Sequence, residues 1–332
     1  MTITDVARTA GVSVATVSKV INGRDGVAAA TQQRVRAVVE DLGFASSLGA
    51  RSLRAHRTGV LGVLVSEFEP YSTEILKGAW SVVRTSPYEL MSWAGGTGGD
   101  EHTGWERRSL ARLAGTLIDG AVLVTPSISE RRTGFPLVAI DPHTGPMELP
   151  TVDADNLGGA VSATRLLLGL GHRRIAFLAG RPDLESARLR EQGFREAMAA
   201  AGISVDPALV RIGDYDPERA EAPVRELLAL ADPPTAIFAA NDLTAIRTME
   251  VAAALGLRVP EDLSVIGFDN IPESAMSVPA LTTVTQPLHE IGAAAMRMLL
   301  AFLAKEEVTA PHLRLPTSLV VRESTAAPRV RA

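Results

Sequence analysis

TITDVARTAGVSVATVSKVINGRDGVAAATQQRVRAVVEDLGF, residues 2–44, carries three short helical patterns in one stretch. Ile3, Val6, Ala7 and Ala10 recur at i, i+3, i+4, i+7, the spacing of one apolar helix face. Gly11 ends that pattern, as a tight turn between helices requires. Ser13 is placed to cap the next helix by accepting from its first-turn amides. In that helix Val17, Val20 and Ile21 share a face, while Val14, Ala15, Ser18, Lys19 and Asn22 point the other way. A third face, Val35, Val38, Val39 and Leu42, is closed by Gly43. Helix, glycine turn and second helix make a helix-turn-helix, whose second helix lies in the DNA major groove.

Charge is distributed to match. The 332-residue chain has a net charge of -5, which by itself does not suggest nucleic acid. Residues 1–58, however, hold eight Lys/Arg against four acids, and the remainder holds 25 against 34. A basic head on an acidic body confines phosphate contact to one end. The length suits two or three domains, and a hydrophobic content of 46% supports a large core. With no cysteine there is neither a disulfide framework nor a thiolate metal site. No apolar run reaches membrane-spanning length, and no secretory h-region opens the chain, so a cytoplasmic location is expected.

From Asp5 to Leu53 the head resembles, without gaps, the head of the lactose repressor (LacI/GalR) family of bacterial transcription regulators. The resemblance rests on DVARTAGVSVATVSKVING, Thr31–Arg36 and Leu42–Phe44. It implies that Thr4, Ser13, Val14, Ala15, Thr16, Ser18, Lys19 and Asn22 face DNA. Val14 and Ala15 suit thymine methyls but make no bidentate hydrogen bonds, and Lys19 reaches either a guanine or a phosphate. Thr16 and Asn22 read as phosphate contacts or caps. The stretch after Phe44, ASSLGARSLRAHRTG, stands where the family has its hinge helix, with Ser46-Ser47 in place of the usual Pro-Asn. Read without the resemblance, Ser46 or Ser47 caps a short helix through about Arg54, marginal on its own, or the stretch is a plain linker. With it, paired hinge helices of a homodimer lie on the minor groove, Leu53 is the apolar wedge, and Arg51 and Arg54 meet phosphates.

Beyond Gly59 the pattern changes. Short apolar runs at 59–65, 120–124, 136–141, 174–180, 209–213, 235–241 and 263–269 read as buried strands. Helical stretches are expected at 72–85, 157–170, 186–201, 220–230, 243–255 and 288–303. Alternation of this kind predicts doubly wound parallel sheets. The fold expected is therefore an all-α helix-turn-helix head plus an α/β core of two doubly wound parallel-sheet subdomains, resembling the family's periplasmic-binding-protein-like body. The expected boundaries are 1–45 for the head and 46–58 for the hinge. The N-terminal subdomain takes 59–153 and 286–316, the C-terminal subdomain 154–285 and 317–326, and a disordered tail 327–332. Trp93–Leu113 fits no strong pattern.

In such sheets ligands sit outside the carboxyl ends of the strands. Polar residues close several of them, and the resemblance places Asp141, Arg190, Asn241 and Asp269 around a small effector, often a sugar. Carboxylates, amides and a guanidinium suit vicinal hydroxyls, whereas Asp and Asn at strand ends also serve simply as turn formers. Ser66, Gln286 and Leu288 are weaker candidates of the same kind. Trp80, Trp93 and Trp105 read better as core or interface residues than as sugar platforms. No enzyme signature is present. The glycines at 95–99 lack phosphate-loop spacing, with Glu101 where a last glycine would stand, and no GxSxG elbow occurs. The six histidines never pair at metal spacing, and His172 reads as structural. No cofactor is expected. The partners implied are operator DNA, a small carbohydrate-like effector and a second copy of the chain, since no tetramerisation heptad is evident. The competing reading is a solute binder of the same core fold without DNA-dependent regulation.

Overall fold

The computed structural model describes residues 2–21, 25–42, 57–96, 104–127, 135–145, 149–306 and 311–329. The chain forms two compact units, a head ending at Thr58 and a body beginning at Gly59.

The head consists of α1 (Ile3–Ala10), α2 (Val14–Ile21) and α3 (Ala29–Asp41). Thr2 and Asp5 form a reciprocal capping box on α1, with the Thr2 amide donating to Asp5 Oδ2 at 2.8 Å. Gly11 closes α1 with φ of 65°, in the left-handed region that glycine enters without strain. Ser13 Oγ accepts from the Thr16 amide at 3.1 Å and so caps α2, as expected. Val6, Ala7, Ala10, Val17, Val20 and Val35 form the buried core, flanked by Ile21, Val38, Val39 and Leu42. Gly43 and the hinge positions Ser46, Ser47, Arg51, Leu53 and Arg54 lie outside the described residues, as does Asn22.

The body contains two six-stranded sheets. The first holds β1 (Val60–Val65), β2 (Glu89–Ala94), β3 (Gly120–Val124), β4 (Leu137–Ile140), β5 (Thr151–Ala154) and β11 (His312–Leu315), in the order β11-β5-β4-β3-β1-β2. The second holds β6 (Ile175–Ala179), β7 (Val210–Ile212), β8 (Ala236–Ala239), β9 (Ser264–Asp269), β10 (Thr282–Thr285) and β12 (Ser318–Val320), in the order β12-β10-β9-β8-β6-β7. All pairs are parallel except β10 with β12, so the expected purely parallel sheets gain one antiparallel edge.

Helices cover both faces of each sheet, which is why the strands are apolar on both sides. In β1, Leu61, Val63 and Val65 face one core, shared with α4 (Pro70–Val83) and α11 (Leu288–Leu303). Val60 and Leu64 face another, with α5 (Trp105–Leu113). The α4–α11 contact is close enough that a Cβ on Gly78 would meet the His289 carbonyl at 2.0 Å, and one on Gly292 the Ile75 carbonyl at 2.0 Å. On the second sheet, α6 (Asn156–Gly169) and α7 (Glu185–Ala200) cover one face and α8 (Pro217–Leu228) and α9 (Asp242–Ala254) the other. A short α10 (Pro272–Met276) follows β9.

Sequence patterning missed several elements. β2 is an edge strand whose residues are exposed or half-buried, so it has no apolar run to betray it. β5 is only four residues long. Within Trp93–Leu113, α5 buries Trp105, Leu110 and Leu113 on a charged helix. The expectation of a disordered tail needs correction up to Arg329. His172 Nε2 lies 2.9 Å from the Ala326 carbonyl, which can only accept, so Nε2 carries the proton, and Nδ1 lies 2.9 Å from Thr235 Oγ1. The Ala326 amide donates to Ser264 Oγ at 3.0 Å, and Arg329 pairs with Asp262 at 2.6 Å.

Phe177 is the centre of the second sheet's core, stacked on Phe194 at 5.1 Å and edge-on to Phe238 at 5.2 Å. Replacing it, Phe177→Ala, is expected to lower the body's unfolding free energy by about 3–5 kcal/mol, read by chemical denaturation.

Candidate functional site

In both sheets the strand order reverses beside the first strand, at β1 and at β6. Such a switch point opens a crevice at the carboxyl ends of the strands. The two crevices share one cavity of about 740 Å³. Ser66 reaches it after β1, Thr125 after β3 and Asp141 after β4. From the second sheet come Tyr215 after β7, Asn241 after β8 and Asp269 at the end of β9, with Arg190 from α7.

The floor is a buried charge cluster. Arg190, 3% exposed, stacks with its guanidinium carbon 3.8 Å from the Phe268 ring centroid. Its Nε donates to Asn156 Oδ1 at 2.8 Å, and its Nη1 donates to the Ala240 carbonyl and lies 3.3 Å from Asp269 Oδ1. Gln286 Nε2 donates to the same Asp269 oxygen at 2.7 Å. Across the cavity the Tyr71 hydroxyl donates to Asp141 Oδ2. These bonds leave Arg190 Nη2, Asp141 Oδ1 and Asp269 Oδ2 without a hydrogen-bond partner among the described residues. The Tyr215 hydroxyl is also buried and unpartnered, although Ser186 lies close enough to bear on its ionisation. Two acceptors, a two-proton donor and a hydroxyl facing one space suit a ligand rich in hydroxyls, each of which donates and accepts.

Backbone strain marks the same place. Of seven non-glycine residues with positive φ among the described residues, five line the cavity: Thr125, Asp141, Asp214, Tyr215 and Asp269. Such conformations cost on the order of 1–3 kcal/mol each and concentrate at ligand sites. Tyr215 is held there by packing: a Cβ on Gly180, at the end of β6, would sit 2.2 Å from its ring.

Electrostatics follow from burial. Desolvation pushes Asp141 up to about 6, against the Tyr71 hydrogen bond and the Arg190 charge. Asp269 is likewise pushed up to about 6 by burial, opposed first by Arg190. Burial also disfavours the charged form of Arg190, but Tyr215, Asp269 and Asp141 outweigh it and hold the guanidinium ionised.

Of the sequence candidates, Ser66, Asp141, Arg190, Asn241 and Asp269 line the cavity. Asn241, however, has its amide engaged: Oδ1 caps α9 through the Thr244 amide at 3.1 Å, and Nδ2 donates to the Tyr215 carbonyl at 3.2 Å. It positions Tyr215 rather than presenting a free group. Gln286 acts through Asp269, and Leu288 is buried in the first sheet's core. No tryptophan lines the cavity: Trp105 is buried, Trp93 packs beside it and Trp80 lies exposed on α4. Sequence reading missed Tyr71 and Tyr215. An aromatic in the loop after a strand was the available signal. Asp242, legible in the sequence only as one of the polar residues that close a strand, is fully buried, and its carboxylate accepts from Thr283 Oγ1 and from the Ile271 amide and so pins the turn after Asp269. Among the described residues no cluster of His, Cys, Asp or Glu is placed to hold a metal, and no helix is long and apolar enough to cross a membrane.

In the head, Val14, Ala15, Lys19 and Thr4 are exposed, and Ser18 and Thr16 are half-buried, so α2 presents a small, mostly apolar outer face with one cation.

Residues 2–47 match a family model described as bacterial regulatory proteins, lacI family, and residues 164–325 match a periplasmic binding protein-like domain. The chain is 36% identical over 334 residues to the HTH-type transcriptional regulator CelR of Thermobifida fusca, covering 96% of each. It is similar to the solved CelR–cellobiose complex, with a TM-score of 0.74, 34% identity, and 98% of this chain and 99% of that one covered. It is also similar to the lac repressor dimer bound to operator and the anti-inducer ONPF, with a TM-score of 0.84, 27% identity, and 98% and 99% covered.

A ligand hydroxyl that donates to Asp141 or Asp269 favours the ionised carboxylate, so binding is strongest where both are charged. With both groups near 6, affinity for a neutral hydroxyl ligand is expected to be flat above about pH 7 and to fall as pH drops through about 6, read by titration calorimetry from pH 5 to 8. Affinity unchanged across that range would remove the carboxylates from direct contact.

Proposed function

The chain belongs to the lacI family of bacterial regulatory proteins, and on that premise we propose that it is a sequence-specific DNA-binding transcriptional repressor. It binds a pseudo-palindromic operator as a homodimer and is controlled by a small effector, a sugar or sugar derivative, held in the body's cavity. The observation that carries this reading is the pairing, in one chain, of a capped helix-turn-helix with an exposed second helix and a strained polar cavity with unsatisfied groups on its floor. The relatives reported above are regulators, one in complex with cellobiose and one on its operator. A solute binder without DNA-dependent regulation leaves the head's basic charge and outward helix face without a role.

In this reading Val14, Ala15 and Ser18 meet base edges, Lys19 in the last turn of the reading helix reaches a guanine or a phosphate, and Thr4, Ser13, Thr16 and Asn22 hold the head on phosphates or cap its helices. So modest a reading helix leaves part of the specificity to deformation of the operator's centre by Leu53, with Arg51 and Arg54 on the flanking phosphates. Ser66, Asp141, Arg190 and Asp269 hold the effector, and Asn241 and Gln286 support them. The effector acts through its differential affinity for two states of the body, a coupling of about 1–3 kcal/mol in typical cases.

Operator affinity should fall steeply with salt, and Leu53→Ala should weaken operator binding while effector binding stays intact, both read by fluorescence anisotropy. Salt-independent DNA binding would remove the regulator reading. Arg190→Ala or Asp269→Ala should still bind operator yet lose the response of operator affinity to the effector; full retained response would remove those residues from the site.

A further inference from the structure

The cavity's charge is lopsided. Among its described lining residues stand eight carboxylates against three arginines. Each arginine is already matched within the chain. Arg181 holds Asp183 at 2.7 Å, Arg219 holds Asp214 at 3.1 Å and Arg190 holds Asp269 at 3.3 Å. Arg219 is shared with Asp216 at 3.7 Å, which leaves four lining carboxylates, Glu67, Glu69, Asp141 and Glu218, in no ion pair with a described residue. Two of them, Glu67 and Glu69, are exposed on the loop between β1 and α4 and look into the cavity from its rim. Neither forms an ion pair with a described residue, and Glu69 feels Asp269 and Glu67 as like charges more strongly than it feels the opposite charge of Arg181.

We infer that Glu67 and Glu69 are specificity determinants that make the mouth of the cavity a barrier to anions, so that its ligand is a hydroxyl-rich molecule carrying no negative charge. Phosphorylated sugars, sugar acids and nucleotides are excluded. The physical reason is the field. A cleft lined by one sign of charge between low-dielectric walls focuses potential into its opening, and an anion entering it meets like charges at short range with little solvent between them. Like-charge juxtaposition of this kind suppresses wrong partners more than it strengthens right ones. A neutral polyol meets no such penalty. Its hydroxyls donate to Asp141 and Asp269 on the floor, and the free donor nitrogen of Arg190, balanced by Asp269, is matched to a hydroxyl oxygen rather than to a phosphate. Glu69 is pushed up to about 7, first by desolvation against the cavity's walls and then by Asp269 and Glu67, with Arg181 opposing, so its share of the barrier grows as pH rises through about 7.

This inference rests on the cavity's being the effector site, and the test separates the two. The full-length protein is titrated, by thermal shift and calorimetry, with glucose, ribose, cellobiose, a purine nucleoside and a pyrimidine nucleoside, each beside its phosphate. A neutral member is expected to bind, and its phosphate to bind at least about tenfold more weakly, with the gap narrowing at high salt, where exposed charges are screened. In the double variant Glu67→Gln/Glu69→Gln, which keeps side-chain size, affinity for the neutral ligand stays while the gap narrows. A phosphate that binds the wild type as tightly as its neutral partner overturns the inference, and so does a gap unchanged in the variant. If a nucleoside binds and no sugar does, the carbohydrate reading fails while the charge barrier stands. Binding by no neutral member overturns both.

Discussion

The body is organised around one buried guanidinium. Arg190 lies in the floor of the cavity with Asp269 and Asp141 as its counter-charges and the Phe268 ring beneath it. A charge taken out of water is tolerated only when it is paired and hydrogen-bonded, and removing one partner of a buried pair costs far more than the pair contributes. Each neighbour of Arg190 is therefore fixed in turn. Asn156 opens α6, Ala240 ends the segment after β8, and Asp269 is held by Gln286. The carboxyl ends of both sheets are constrained by the need to keep this one charge compensated.

That constraint accounts for the strain. Asp141 and Asp269 adopt positive φ because each strand must turn sharply to aim its carboxylate inward, and Asp242 stabilises the second turn from behind. Tyr215 is left-handed as well, seated on Gly180, where a side chain would displace it. The rest of the body is regular, with helices on both faces of two sheets and glycine contacts where α4 meets α11. Unfavourable conformations have been concentrated where a ligand can compensate for them.

How much of this was legible in the sequence depended on burial and length. Strands buried on both faces, such as GVLGVLV and RIAFLAG, show themselves as apolar runs, and Gly11 and Ser13 mark the head's turn and cap by their chemistry. Asp141, Arg190 and Asp269 were legible because they stand beside such strands or in a motif shared with a family. The edge strand β2 has no such run, because half of it faces water. Tyr215 stayed hidden because its role depends on Gly180, 35 positions away in the chain, which periodicity does not detect. Glu67 and Glu69 stand in no motif, and only the fold brings them to the cavity. The tail was misjudged as far as Arg329 because its anchor there is Asp262, 67 positions away in the chain.

The crossings between the two sheets connect the floor to the movement that regulation requires. The chain passes from one sheet to the other layer three times: after β5 into α6, after β10 into α11, and from β11 to β12. Two of the crossings are bonded to each other, with the Asp155 amide donating to the Leu315 carbonyl at 2.9 Å and Thr317 Oγ1 donating to the Asp155 carbonyl at 3.1 Å. The third contains Gln286, whose amide holds Asp269 at 2.7 Å. Bonds between neighbouring crossings tie the two sheets together beside the cavity. A ligand that binds Asp269 acts directly on a group tied to one of those crossings, while its contact with Asp141 draws on the opposite sheet. Its differential affinity for the two arrangements is then set by whether both sheets reach it at once, and that is the only quantity through which an effector can shift the equilibrium.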